Sequence, residues 1–219
     1  MSRITSLLTG FLQNAIYLLP AIAISLSVHE LCHGYTAYRL GDPTAKSQGR
    51  LTLNPLAHMD PLGTLCLLLL GFGWAKPVPV NPMYFRDRRK GMALTSAAGP
   101  AANLVLAFFS LTAYILTLPL TGNPVGNYLS GFLIVLASIN VGLAVFNMLP
   151  ISPLDGSKIL YALLPERSYF QLLSYERYVQ PLLFLLLFTG LLDRPLIFLR
   201  SAIMGGMLTL LQPLISLIG

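Results

Sequence analysis

SVHELCHGY, residues 27–35, closes an apolar run that begins near Phe11. The run carries no charge from Phe11 to Val28; then a carboxylate and two imidazoles arrive within five positions. A charged side chain at the centre of a bilayer costs about 2.5–3.5 kcal/mol on insertion scales, so an ionisable group in such a run is a functional candidate by default.

The surrounding composition supports a membrane setting. Of 219 residues, 55% are hydrophobic and 10% charged, with a mean hydropathy of +0.70. Soluble domains carry about 25% charged residues. Only helices and closed barrels satisfy their backbone hydrogen bonds in lipid, and the alternation of barrel strands is absent. The expected fold is an all-α polytopic membrane protein. Met1–Gly10 carries only Arg3, and the following run is too long for a signal-peptide core, so no cleavable leader is expected. Cys32 and Cys66 show no framework spacing and read as reduced, buried thiols.

The net charge of +6 does not point to nucleic acid. Arg39, Lys46, Arg50, Lys76, Arg86, Arg88, Arg89 and Lys90 cluster between residues 39 and 92, against Asp42, Asp60 and Asp87. That is the pattern of a cytoplasmic loop in an integral, multi-pass protein, and it suits contact with anionic membrane lipids.

Apolar runs of about 20 residues place a first helix from roughly Phe11 to Arg39, a second from Met92 to Leu118 and a third from Tyr128 to Leu149. Two further runs, Val179–Leu192 and Pro195–Ile218, crowded by Arg194 and Arg200, read as two full spans or as a hairpin; counted as spans, they bring the expectation to about five transmembrane helices. Pro61–Phe72 is half a span long and reads as re-entrant. Around it, GRLTLNP alternates and KPVPVNP is extended, predicting short membrane-associated β-strands, the second confined to an edge by its prolines. Such an edge can pair with an unwound peptide. Residues 1–219 read as a single membrane-embedded domain, with a core over about 11–165 and C-terminal helices over about 178–218.

His29 and His33 stand four apart, on one face of a helix, and Glu30 follows the first of them. In this H-E-x-x-H pattern two imidazoles can hold a zinc ion, and the glutamate can take a proton from the attacking water. A catalytic zinc usually has a third protein ligand. No histidine stands six residues beyond His33, where Arg39 is found. His58, Asp60 and Glu166 lie in polar segments. Asp155, in NMLPISPLDG, follows an apolar helix that must pass the depth of His33, and the prolines free backbone to line a cavity. Asp155 is the preferred third ligand; capping the helix GSKILYALL is its alternative role.

HELCHG on the first helix, GPAAN (Gly99–Asn103) on the second and NMLPISPLDG (Asn147–Gly156) after the third resemble, in this order, the site-2 protease family of intramembrane zinc metalloproteases. GDPTAKSQGRLTLNPLAHMDPLGT is further similar to a compact bacterial and archaeal branch, which implies a prokaryotic cell membrane. The resemblance spans about residues 25–165. It implies one Zn2+ per chain on His29, His33 and Asp155, with Glu30 as acid/base, and cleavage in or near the transmembrane segment of a membrane-protein substrate. It also implies that Asn103, Asn140 and Asn147 lie beside the reaction centre, where an amide N–H can steady an oxyanion; interhelical hydrogen bonding is the simpler role for each. His58 is a further candidate for substrate contact. No PDZ insertion or nucleotide-sensing domain is seen. The rival readings are a membrane metal-ion transporter, which would tolerate Glu30→Gln, and a catalytically silent scaffold.

Overall fold

The computed structural model describes residues 3–70, 74–165, 178–179 and 181–218. In chain order the helices are α1 (Arg3–Arg39), α2 (Thr44–Ser47), α3 (Pro61–Leu70), α4 (Arg88–Thr117), α5 (Pro124–Asn147) and α6 (Asp155–Leu163). Then follow α7 (Pro181–Phe188), α8 (Asp193–Leu210) and α9 (Gln212–Ile218).

Local chemistry explains where the long helices start and stop. Asp87 caps α4, its carboxylate accepting from the backbone N–H of Arg89 and Lys90. Asn123 caps α5 through Gly126 N–H, and Pro124 occupies the first turn, where its missing N–H costs nothing. Beyond α1, Gly41 takes a positive φ of 107° that side-chain-bearing residues avoid, and the chain turns away.

Among the described residues, three helices are long and apolar enough to cross a membrane: Ala15–Arg39 within α1, Arg88–Leu120 and Pro124–Asn147. The chain is therefore an integral membrane protein with about three spanning helices rather than five. The expected fourth and fifth spans meet that test only together, as α7 and α8 bent by 81°. The break lies at the turn holding Gly190, which has a φ of 69°. The described residues of α7, Pro181–Phe188, fall far short of the ~20 a span needs. The expected half-span falls on α3 (Pro61–Leu70), and its last residues, 71 and 72, lie outside the described residues.

The predicted β-strands are not found among the described residues. The β pairing there is an isolated antiparallel bridge between Met59 and Ala75. Pro77 and Pro79 have no N–H, and Val78 N–H donates to Glu30 Oε2 at 2.8 Å. Val78 and Asn81 spend their N–H groups on the Glu30 and Asp42 carboxylates, so no ladder forms. Residues 51–53 likewise lack a partner strand, the Thr52 carbonyl accepting instead from the His58 ring at 2.7 Å.

Contacts along the helices fix their directions. His33 meets Thr95 and Thr117 meets Ser130, so α4 runs antiparallel to α1 and to α5. Asn140 meets Ser25, setting α1 and α5 parallel. The end of α1 and the start of α4 share the end of the bundle that carries the basic loop, here termed the basic end. Ala107, Val141 and Val145 form one buried cluster, and Leu111, Ile115, Ala137 and Leu211 another. Small residues let α4 and α5 approach closely, the usual source of helix association where lipid removes the hydrophobic drive. Met204 and Met207 of α8 pack against both clusters.

Candidate metal centre

The last turns of α1 carry His29 and His33 inward, both buried. Their rings meet edge to face at a centroid distance of 4.5 Å. The two Nε2 atoms stand 2.9 Å apart. Asp155 Oδ2 lies 3.2 Å from His29 Nε2 and 3.1 Å from His33 Nε2. Three potential ligand atoms thus converge within 4.8 Å of one another, from two places 122 positions apart in sequence.

Each element of this geometry has a local cause. The His33 Nδ1–H donates to the Thr95 carbonyl at 2.6 Å. A histidine that donates from Nδ1 presents a lone pair at Nε2, which is the atom turned toward Asp155. Asp155 is the first residue of α6, and Leu154 holds the cap position without a side-chain bond. Its carboxylate therefore faces the imidazoles instead of capping the helix. A Cβ at Gly156 would stand 2.3 Å from the Met148 carbonyl oxygen, so glycine lets α6 fold back against the end of α5. At Gly99 a Cβ would reach 2.4 Å from His33 Nε2 and 2.7 Å from His29 Cε1. The bare backbone of α4 keeps that space open beside the nitrogens. Two imidazoles, one carboxylate oxygen and a cradle that a methyl group would fill suit zinc, which takes nitrogen and oxygen ligands in four-coordinate sites.

Glu30 is buried beside the pair, its Oε2 accepting from Val78 N–H. The loop is held there by further bonds. Asn81 N–H donates to Asp42 Oδ2 at 2.6 Å, Lys76 N–H to the His58 carbonyl at 2.8 Å, and Arg50 to the Lys76 carbonyl at 2.8 Å. Gly34, directly after His33, admits the Leu51 and Val78 side chains; a Cβ would meet them at 2.8 and 2.9 Å.

The other sequence candidates fall in different surroundings. Asn103 is fully buried one turn beyond Gly99, and among the described residues neither end of its amide has a hydrogen-bond partner. Asn140 donates from Nδ2 to Ser25 Oγ and to the Leu136 carbonyl, both at 2.8 Å, tying α5 to α1. Asn147 donates to the Leu143 carbonyl at 3.0 Å within its own helix. His58 is buried in the loop, and Asp60 accepts from Gly63 N–H at 2.8 Å at the start of α3; neither joins the cluster. Glu166 lies outside the described residues. Cys32 and Cys66 are free thiols.

Two contributors escaped the sequence reading. The Thr95 carbonyl orients His33 from the backbone and leaves no side-chain signature. Lys158, one turn after Asp155, brings Nζ to 3.9 Å from Oδ1, the carboxylate oxygen turned away from the histidines; the spacing was legible, its direction was not.

Residues 121–190 match peptidase family M50. A Bacillus subtilis protein named as a candidate zinc metalloprotease, YwhC, is 41% identical over 165 residues, covering 74% of this chain and 75% of that protein. Rip2 of Mycolicibacterium smegmatis, named likewise, is 37% identical over 142 residues, 61% of this chain and 51% of that protein. Rip2 of Mycobacterium tuberculosis is 34% identical over 139 residues with the same coverage, so the match spans about half of each mycobacterial relative. No solved structure gives a significant match. With membrane-crossing helices, a donor set suited to zinc and a relative this similar over three quarters of its length, the chain belongs to peptidase family M50, the site-2 protease family, and is a membrane zinc metalloprotease.

Proposed function

We propose that this protein is an intramembrane endopeptidase that cuts membrane-protein substrates in or near a transmembrane segment, in regulated intramembrane proteolysis. The observation that carries the reading is the buried convergence of His29, His33 and Asp155 beside Glu30, at the end of a membrane-crossing helix. In this reading His29 Nε2, His33 Nε2 and Asp155 Oδ2 hold the zinc. When bound, the ion supplies Lewis acidity toward water and the scissile carbonyl.

The remaining chemistry belongs to the chain. Val78 N–H holds Glu30 Oε2, leaving Oε1 to take a proton from the attacking water and deliver it to the leaving amine. Asn103, whose amide is unspent, offers an N–H to the oxyanion. Asn140 serves as an interhelical tie, and Asn147 stands in reserve beside the site. Pro77–Val80 presents its backbone carbonyls to a locally unwound substrate; His58 supports that segment, its carbonyl accepting from Lys76 N–H. The basic loop faces the cytoplasm of a prokaryotic cell, against anionic lipid, which sets the site toward the cytoplasmic side. Residues 1–219 act as one protease domain, its core over about 11–165 and its C-terminal helices over about 178–218.

The test uses purified protein, a set of single-span substrates and zinc analysis. Cleavage by wild type, its loss in Glu30→Gln and about one zinc in both are the expected results. Zinc in both proteins with ion flux that survives Glu30→Gln would instead identify a transporter.

A further inference from the structure

A cavity of about 940 Å3 opens between α1, α5, α7 and α8. Its α1 wall is the stripe Leu18, Ile22 and Leu26. The spacing of four continues along the same face to Glu30, so the stripe runs into the metal centre. Leu154, which precedes Asp155, lines the same end. The walls are mostly apolar, with Ser138 and Arg200 at mid-depth and Asp193 nearer one end. Arg200 of α8 lines the cavity and donates from Nη2 to Ser138 Oγ at 3.0 Å. Its Nε and Cζ lie flat along Gly142, 3.5 and 3.6 Å from where a Cβ would stand. The remaining guanidinium donors have no partner among the described residues. The other charged lining residue, Asp193, stands two turns away at the start of α8.

An arginine here needs explaining, because ionisable groups within membrane helices are rare and mark binding paths. Ser138 lies near the middle of α5 (Pro124–Asn147). Lipid phosphates sit about 15 Å from the midplane of a ~30 Å hydrocarbon core, so a headgroup is a poor match for this depth. A transmembrane peptide can carry an acceptor there. The level of Arg200 relative to the metal centre follows from the Ser25–Asn140 contact. The histidines lie one and two turns beyond Ser25, putting the centre about 12 Å, or eight helical residues, toward the basic end.

Building on the protease reading, we propose that this cavity seats the substrate's transmembrane segment, and that Arg200 is a specificity determinant selecting a carboxylate or amide oxygen about eight residues from the cleaved bond. Ser138 anchors the guanidinium through Nη2 beside Gly142 of α5, leaving its other donors for the occupant. A substrate with leucine at that level leaves the donors unpaired, and discrimination follows from that loss.

The test is photo-crosslinking in lipid nanodiscs with the full chain carrying Glu30→Gln and a benzophenone amino acid at Ile197, a cavity-lining position. The probe is a single-span peptide in which one asparagine is walked through an otherwise leucine-rich segment. Crosslinking should peak with the asparagine about eight residues distal to the cleavage site, about tenfold over the all-leucine peptide. In Arg200→Leu that ratio should fall to about one, and Arg200→Lys should retain part of it. Taking the ratio within each protein removes any difference in folded fraction. A flat profile with Arg200 present, a preference that survives Arg200→Leu, or capture of phospholipid in place of peptide would overturn the proposal. A preserved ratio in a protein whose Glu30-containing form cleaves nothing would sink the protease reading and leave the cavity assignment standing.

Discussion

The two sides of the bundle are built on opposite terms. On the α4 side, glycine brings backbone against the metal-centre imidazoles, with no room for even a methyl group at Gly99. On the α8 side, no residue of the helix is buried, and a large cavity separates it from α1. Close packing fixes donor atoms to within tenths of an ångström, which a metal site needs. A loosely seated helix does the converse and leaves room for another chain. One bundle thus carries a rigid chemical half and an accommodating half, and the boundary between them is α5.

The comparison is most open to attack at its chemical end. Replacing Glu30 by glutamine should cut kcat by about 10²–10⁴-fold, the usual share of a general base, with zinc retained; retained turnover would remove Glu30 from its proposed role. Chelation, or Asp155→Ala, should abolish both activity and bound metal, checked by metal analysis of the same sample. Gly99→Ala comes next. Its methyl group must displace a histidine ring, so zinc affinity should fall and stability should drop by about 1–3 kcal/mol, read from thermal unfolding in detergent.

Packing substitutions sharpen the contrast at smaller scale. Ala107→Leu, in the fully buried α4–α5 seam, should cost about 1–3 kcal/mol. Ile197→Ala, on the cavity side of α8, should cost about 1 kcal/mol or less. Equal losses from the two would erase the distinction between the halves. The smallest expected effect lies outside the bundle, at Asp87. The Lys90 backbone N–H is the main cause of its lowered pKa. A depressed carboxylate stabilises the fold above its unfolded pKa and loses that contribution as pH falls through the folded value. Asp87→Ala should therefore lower Tm slightly at neutral pH and make no difference in strong acid.

Legibility followed how local each signal was. The three long spans were readable because a run of apolar residues is a property of consecutive positions. Their limits moved by only a few residues, with Asp87 and Asn123 fixing the starts of α4 and α5. The C-terminal runs misled because hydropathy does not register a bend, and the turn at Gly190 divides them. KPVPVNP misled for another reason. Its extended, proline-bearing pattern is that of an edge strand, but a strand needs a partner, and Glu30 and Asp42 took its Val78 and Asn81 N–H groups.

The amino-acid order by itself determined a helical membrane protein with a zinc-binding pair, since composition and an i, i+4 spacing need no partner to have meaning. It also nominated Asp155, from the prolines and the depth of α5. Only the tertiary structure decided that Asp155 Oδ2 faces the imidazoles, that the Thr95 carbonyl turns His33, that Asn140 is tied to Ser25 while Asn103 has no partner among the described residues, and that Arg200 borders a cavity. Each of those facts is a distance between residues far apart in the chain. Such distances are set by how helices pack, which no single segment encodes.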